Sequence, residues 1–270
     1  MKTARVLPVL MYHHVSPAPG LVTVSPDNFH AQMHDLATAG WNTVGAADIA
    51  AFLSGAPLPA RSVAITFDDG YLDNYIHAFP VLREFGLHAT IFAVTNWLGD
   101  GPARQIGANI ALPDHRGCKA AIAAGRTDEV MLRWSEIEVM QGEGVVEVHS
   151  HTHTHTRWDR QLPDIAARRA ALASDLQDSR AILARRLGLD DLHLCWPQGY
   201  FDDDYVAVAG YCGFKYLYTT RRRLNYRTSP ATGIGRIDTR DKGAGWLVPR
   251  LNLYTSPLLG ELYSRIRGGT

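Results

Sequence analysis

The sequence predicts an α/β fold built on mainly parallel strands, and three observations lead there. Short apolar runs bounded by turn residues recur along the chain, with helical stretches between them, the pattern of βα units. A length of 270 residues with 46% hydrophobic side chains suits a single barrel-sized domain with a large core. The residues able to do chemistry follow directly after strand runs, and in barrel folds that is the face on which sites assemble.

In chain order, residues 6–12 form the first strand candidate. Ser25-Pro26-Asp27 is a helix start, with a capping serine and a proline in the first turn. Phe29, Met33 and Leu36 give that helix its apolar stripe, and Gly40 ends it. Residues 62–67 are a continuous apolar run and read as a buried strand. Residues 75–85 look helical around Pro80, which starts or kinks the helix. Residues 89–94 and 145–149 are further strands. Residues 99–127, glycine-rich and without periodicity, read as an insertion or long loop. Ile165, Leu172, Leu176, Leu183 and Leu187 mark a long amphipathic helix closed by Gly188. Residues 193–196, 214–219 and, more weakly, 234–237 complete the strand set. No internal repeat or linker divides the chain, so residues 1–270 are expected to form one domain.

Charge and cysteine usage exclude several classes. Lysine plus arginine and aspartate plus glutamate each number 27, so no global field favours nucleic acid. Cys118, Cys195 and Cys212 have no CxxC spacing, which argues against a zinc knuckle or a disulfide framework and for a reducing compartment. No apolar stretch is long enough to span a bilayer. The N-terminal segment is interrupted by Pro8, His13 and His14 and does not read as a signal peptide. The expected location is cytoplasmic, with peripheral contact at the inner membrane as an option.

The sharpest signal is Thr66-Phe-Asp-Asp-Gly70 at the end of a strand. Two adjacent carboxylates, Asp68 and Asp69, are costly unless a cation lies beside them. A divalent metal held by one, with the other free as a base, makes a hydrolytic site. The second signal is His149-Ser-His-Thr-His-Thr-His155, also at a strand end. His151 and His155 have the four-residue spacing of one face of a helical turn, and imidazole with carboxylate suits zinc and similar ions. The bland reading is a polar loop with fortuitous histidines, and a dense histidine run can also buffer metal. The third signal, Cys195-Trp-Pro-Gln-Gly199, is a rigid turn that exposes a backbone N–H in the manner of an oxyanion hole. Such turns are mostly structural. The fourth is Met11-Tyr-His-His14 after the first strand, where a histidine is ordinarily a satisfied structural residue.

Together these motifs resemble the polysaccharide deacetylase (NodB-homology) family, carbohydrate esterase family 4. Thr66 to Gly70 looks like its first motif and Ser150 to His155 like its second. The resemblance implies an irregular (β/α) barrel, with Asp68 as general base and with Asp69, His151 and His155 as ligands of one divalent metal, zinc with cobalt or nickel as alternatives. His149 and His153 are not expected to be ligands. Cys195 stands where the family has an arginine that orients the base, and Arg236, in Gly235-Arg-Ile-Asp238, is a candidate to replace it. The Trp196-Pro-x-Gly turn and the N-terminal Tyr-His-His-Val are similar to a permuted subgroup, typified by poly-β-1,6-N-acetylglucosamine deacetylases, in which the N-terminal histidine is the general acid. That selects His13. Gln198 and Trp196 are then expected at the oxyanion and substrate side.

The implied activity is hydrolysis of the N-acetyl amide of an amino sugar in a glycan or in a polyprenyl-phosphate-linked precursor. Arg221-Arg-Arg223 with Arg227, and the mixed aromatic, aliphatic and arginine run over residues 246–267, lean toward the lipid-linked substrate. A carbohydrate-binding member that has lost catalysis, suggested by Cys195, is the alternative.

Overall fold

The structure is a computed structural model that describes residues 2–107, 110–256, 259, 260 and 262. Seven strands make one parallel sheet: β1 (Val9–Tyr12), β2 (Ser62–Asp69), β3 (Ala89–Ala93), β4 (Val146–Ser150), β5 (His193–Cys195), β6 (Tyr216–Tyr218) and β7 (Ile237–Asp238). Their spatial order is β6-β5-β4-β3-β2-β1-β7, and Asn42–Thr43 pairs beside the start of β2. The sheet curls until its edges meet. Ile234 bridges to Tyr218 of β6, and three residues later Ile237 pairs with Leu10 of β1. The short run 234–238 therefore spans the gap between the two edges, and Arg236, in its middle, is fully buried.

Strand alternation sorts the core into two layers. Leu10, Tyr12, Ile65, Phe67, Ile91 and Val148 face outward and pack under helices Pro26–Thr38, Phe79–Glu84, Trp134–Gly142 and Ile165–Leu187, against Phe29, Met33, Phe79, Ile137 and Leu183. Each such side chain contributes about 1.5–3 kcal/mol by leaving water. Val9, Ala64, Phe92, Cys195 and Tyr218 face inward and pack with Leu7 and Ile234. All eight residues of β2 are buried because both faces are covered, which is why its sequence is a continuous run and not an alternation.

Four expectations need correction. The strand expected over residues 6–12 breaks at Pro8, which has no N–H to give a ladder: Val6–Leu7 pairs antiparallel with Asn225–Tyr226, and only Val9–Tyr12 joins the sheet. The helix around Pro80 begins with a π turn, Asn74–Ala78. Residues 99–127 contain a helix, His115–Ala123, whose Asp114 cap accepts from the Gly117 N–H. Residues 151–155 are not helical, since Thr152 and His155 are left-handed, with φ of 67° and 60°.

The helix Leu247–Thr255 turns Leu247, Leu251 and Tyr254 into the core, so the described part of the aromatic tail spends its apolar face inside the protein. Residues 257, 258, 261 and 263–267 of that run lie outside the described residues. No helix among the described residues is long and apolar enough to cross a membrane.

Candidate active site

The site sits at the C-terminal ends of β1, β2, β4 and β5. Thr66 and Asp68 are two residues apart on β2 and share its inner face. Asp69 would point outward, but its φ is 73°, and this left-handed turn swings its carboxylate toward β4. Five described non-glycine residues have positive φ, and four of them, Asp69, Thr152, His155 and Gln198, stand in this site. Backbone strain of this kind persists where surrounding structure enforces it, and it concentrates at functional sites.

Asp68 is held by a fork. Arg236 donates from Nη1 to Oδ1 at 2.6 Å and from Nη2 to Oδ2 at 2.8 Å. The guanidinium is itself fixed by Nε donating to the Thr219 carbonyl at 3.0 Å and Nη1 to Thr66 Oγ1 at 3.2 Å. Burial pushes the Asp68 carboxyl up, but the charge and hydrogen bonds of Arg236 outweigh it and hold the group at about 2. Cys195 occupies the remaining flank, its thiol 3.6 Å from Oδ1. His13 comes from the end of β1, with Nε2 3.7 Å from Asp68 Oδ2. Burial lowers its pKa against the opposing pull of Asp68 and Asp69.

Beside this pair, Asp69 Oδ1 lies 3.2 Å from His151 Nε2 and 3.5 Å from His155 Nε2. His151 Nδ1 is 2.8 Å from the Cys195 carbonyl, which can only accept, so Nδ1 carries a proton and Nε2 is the atom turned to Asp69. With no metal bound, burial pulls the His151 pKa down, but Cys195 and Asp69 outweigh it and raise it. Asp69 Oδ1 is buried and has no hydrogen-bond donor. Two imidazole nitrogens and an orphaned carboxylate oxygen converging within 4.8 Å are an electron-rich triangle that fits a divalent cation. Burial lowers the His155 pKa to about 4, which keeps it a neutral donor. Asp68, His151 and Cys195 also converge within 4.8 Å, but Arg236 already neutralises that carboxylate and burial raises the Cys195 thiol pKa, so this second grouping is the poorer cation site.

The loop carrying His155 is fastened from the long helix. Asp175 Oδ1 accepts from the N–H groups of His153 and Thr154 at 2.9 and 2.8 Å, and Oδ2 from Trp158 Nε1 at 2.9 Å and Thr154 Oγ1 at 3.1 Å. His149 turns away from the triangle, with Nδ1 2.7 Å from Asp191 Oδ1, and His153 Nδ1 is 2.9 Å from Thr95 Oγ1. Neither is near enough to join the triangle.

A pocket of about 150 Å³ opens over these groups, lined among others by His13, Asp68, Asp69, His151, His155, Gln198 and Gly199. The sequence-based site set thus comes together with one exception. Trp196 does not line the pocket: its ring is buried with Leu172, Leu176, Phe201 and Tyr205 under the long helix, because side chains alternate along the chain leaving β5 and this one faces outward. Gly199, at φ 67°, cannot be replaced without strain, since a Cβ would stand 2.0 Å from Thr220 Oγ1. Sequence reasoning missed Asp175, Asp191, Tyr71 and His115. For Asp175 a signal exists, a carboxylate on the same helical face as Leu172, Leu176 and Leu183, where only a buried partner makes sense.

A curled parallel sheet with a clamped carboxylate beside an Asp-His-His triangle at its strand ends defines a deacetylase-type (β/α) barrel. A model of the polysaccharide deacetylase family matches residues 55–217, and the chain belongs to that family. It is 40% identical to YxkH of Bacillus subtilis over 94 residues, 34% of this chain and 33% of that protein. It is 23% identical over 194 residues to a poly-beta-1,6-N-acetyl-D-glucosamine N-deacetylase of Staphylococcus aureus, covering 71% of this chain and 59% of the relative. The chain thus matches a third to three-fifths of the length of these curated relatives. Among solved structures, IcaB from Ammonifex degensii superposes with a TM-score of 0.71 at 26% identity, covering 87% of this chain and 92% of that one.

Proposed function

We propose that this protein is a metal-dependent hydrolase that removes the N-acetyl group from an amino sugar of a glycan. The observation that carries the reading is Asp68, with both oxygens held by Arg236, beside the Asp69–His151–His155 triangle. The N-deacetylase named among its relatives supports the same chemistry. When bound to Asp69, His151 and His155, a divalent ion, zinc by its donor set, supplies Lewis acidity to the acetyl carbonyl and to attacking water.

The chain's own groups supply the rest. Asp68 is ionised at neutral pH and accepts the proton of the attacking water. Arg236 keeps the carboxylate in one orientation, taking the part expected at the position of Cys195. The turn Pro197–Gly199 forms the wall where charge develops on the carbonyl oxygen, with Gln198 and Gly199 facing the pocket. His13, 3.7 Å from Asp68, donates a proton to the departing amine from its protonated form, which the charges of Asp68 and Asp69 favour against burial. The bond broken is the amide C–N, and the products are acetate and a free amino sugar.

A trough of about 430 Å³ shares His13 and Val22 with the pocket, but Asp238 and Asp241 line it beside Arg222 and Arg240, and Arg222 is paired with Asp238, so its charge does not single out a phosphate-bearing substrate. The test is acetate release from N-acetylglucosamine oligomers, peptidoglycan fragments and polyprenyl-phosphate amino sugars, by wild type and by Asp68→Asn. Acetate from wild type and none from the variant is the expected result. Full activity of Asp68→Asn would overturn the base assignment, and glycan binding without acetate release under zinc, cobalt and nickel would make this a binding protein.

A further inference from the structure

The helix within residues 99–127 brings one more imidazole to the pocket, and a buried chain of hydrogen bonds controls which way it faces. His13 and His14 point in opposite directions from the end of β1. While His13 looks into the pocket, His14 is 1% exposed and turns to Asp73, itself 2% exposed. Asp73 Oδ1 accepts from the Val15 N–H at 3.3 Å and from Asn74 Nδ2 at 2.8 Å, and Oδ2 lies 2.6 Å from His14 Nδ1. A carboxylate accepts, so His14 Nδ1 carries a proton, and in the neutral ring Nε2 holds the lone pair. Nε2 is 3.0 Å from Nδ1 of His115, which donates to it in that state. The Tyr71 ring stacks on His14, with centroids 3.8 Å apart, and the His115 ring meets His14 edge-on at 77°.

The outcome is set at the far end of the relay. With Nδ1 protonated, the neutral His115 ring has a bare Nε2, and His115 is one of the residues lining the catalytic pocket. Burial and the facing His14 ring lower the His115 pKa, which favours the neutral ring. Lys119, one helical turn further on, lines the same wall. His115 does not belong to the Asp69–His151–His155 triangle.

An unprotonated ring nitrogen on a pocket-lining residue can accept a hydrogen bond from a bound ligand. An N-acetylated amino sugar offers hydroxyl groups and one amide N–H. We propose that His115 is a substrate-contacting residue whose Nε2 accepts a hydrogen bond from a hydroxyl of the sugar being deacetylated, and that Asp73 and His14 are positioning residues that fix its tautomer. This rests on the reading of the site as an amino-sugar deacetylase. It makes the helix His115–Ala123 a specificity wall, opposite in role to His13, which acts on the departing amine.

The test pairs kinetics with a direct view of the rings. Acetate release is measured on N-acetylglucosamine oligomers and on analogues lacking one hydroxyl each. For His115→Ala, KM on the parent should rise about tenfold, more than kcat falls, and the preference for the parent over one deoxy analogue should vanish. Nitrogen-15 spectra of the histidine rings should show Nδ1–H and a bare Nε2 for His115 in wild type, and loss of that single tautomer in His14→Gln and Asp73→Asn. An Nε2–H tautomer in wild type overturns the relay. A parent-over-deoxy preference that survives in His115→Ala overturns the contact. If wild type binds the oligomers but releases no acetate, the deacetylase reading fails and the same comparison is made on Kd; if it binds none, both fail.

Discussion

Replacing Arg236 by methionine should both unfold the protein more easily and silence it, and the size of the effect follows from the geometry. Arg236 and Asp68 are buried to 0% and 4% side-chain exposure and joined by two bonds of 2.6 and 2.8 Å. Methionine fills a similar volume but leaves the Asp68 carboxylate without its cation. Removing one partner of a buried pair costs about 3–5 kcal/mol. Part of this has a pH signature. Holding the Asp68 carboxyl near 2, against an ordinary 3.8, corresponds to about 2.5 kcal/mol. A carboxyl lowered on folding contributes stability that is complete above its unfolded value and lost as pH falls through the folded one. Urea denaturation of chelator-treated protein should therefore show a gap between wild type and Arg236→Met that is widest at pH 5–7 and narrower by about 2 kcal/mol near pH 2. In a double-mutant cycle, Asp68→Asn should recover much of the loss. A gap of equal size at both pH values, or additive single variants, would refute the view that the fork organises Asp68.

Three further outcomes follow from other parts of the molecule. Chelation should abolish acetate release and zinc should restore it, with one metal bound per chain by elemental analysis; His151→Ala should lose the metal and His153→Ala keep it, whereas several metals per chain would point to buffering. Asp175→Asn sets an amide N–H against Trp158 Nε1 and loosens the loop that carries His155, so zinc affinity in a chelator competition should fall about 10–100-fold while the fold persists. Buried His193 is held neutral, with its pKa lowered to about 4 mainly by burial and by His149. The unfolded chain binds this proton more readily, so stability should drop as pH falls from about 6.5 toward 4, by up to about 3 kcal/mol, and His193→Gln should flatten that slope in thermal melts.

Much of the scaffold was legible because its signals are local. The apolar runs at residues 62–67 and 89–94, the stripe ending at Gly188 and the helix opening at Pro26 each announce themselves within a dozen residues. The helix at residues 115–123 escaped because it is short, carries Gly117 and follows a glycine-rich stretch, and its buried face is made of only two small side chains, Cys118 and Ala121. The helical reading of His151 and His155 failed for a related reason. A spacing of four is compatible with one helical turn, but also with a left-handed turn fastened by a carboxylate from another element.

What the sequence determined by itself is the grouping of Asp68 with the Asp69–His151–His155 triangle, since Asp68 and Asp69 are adjacent, His151 and His155 are four apart, and each pair follows a strand. Only the tertiary structure decided what holds them. Arg236 reaches Asp68 across 168 positions, Asp175 fastens the histidine loop from the long helix, and His115 meets His14 over 101 positions. The physical reason is that ligand spacing is a property of local chain geometry, whereas the choice of a partner across the barrel depends on how far the sheet curls before residues 234–238 close it.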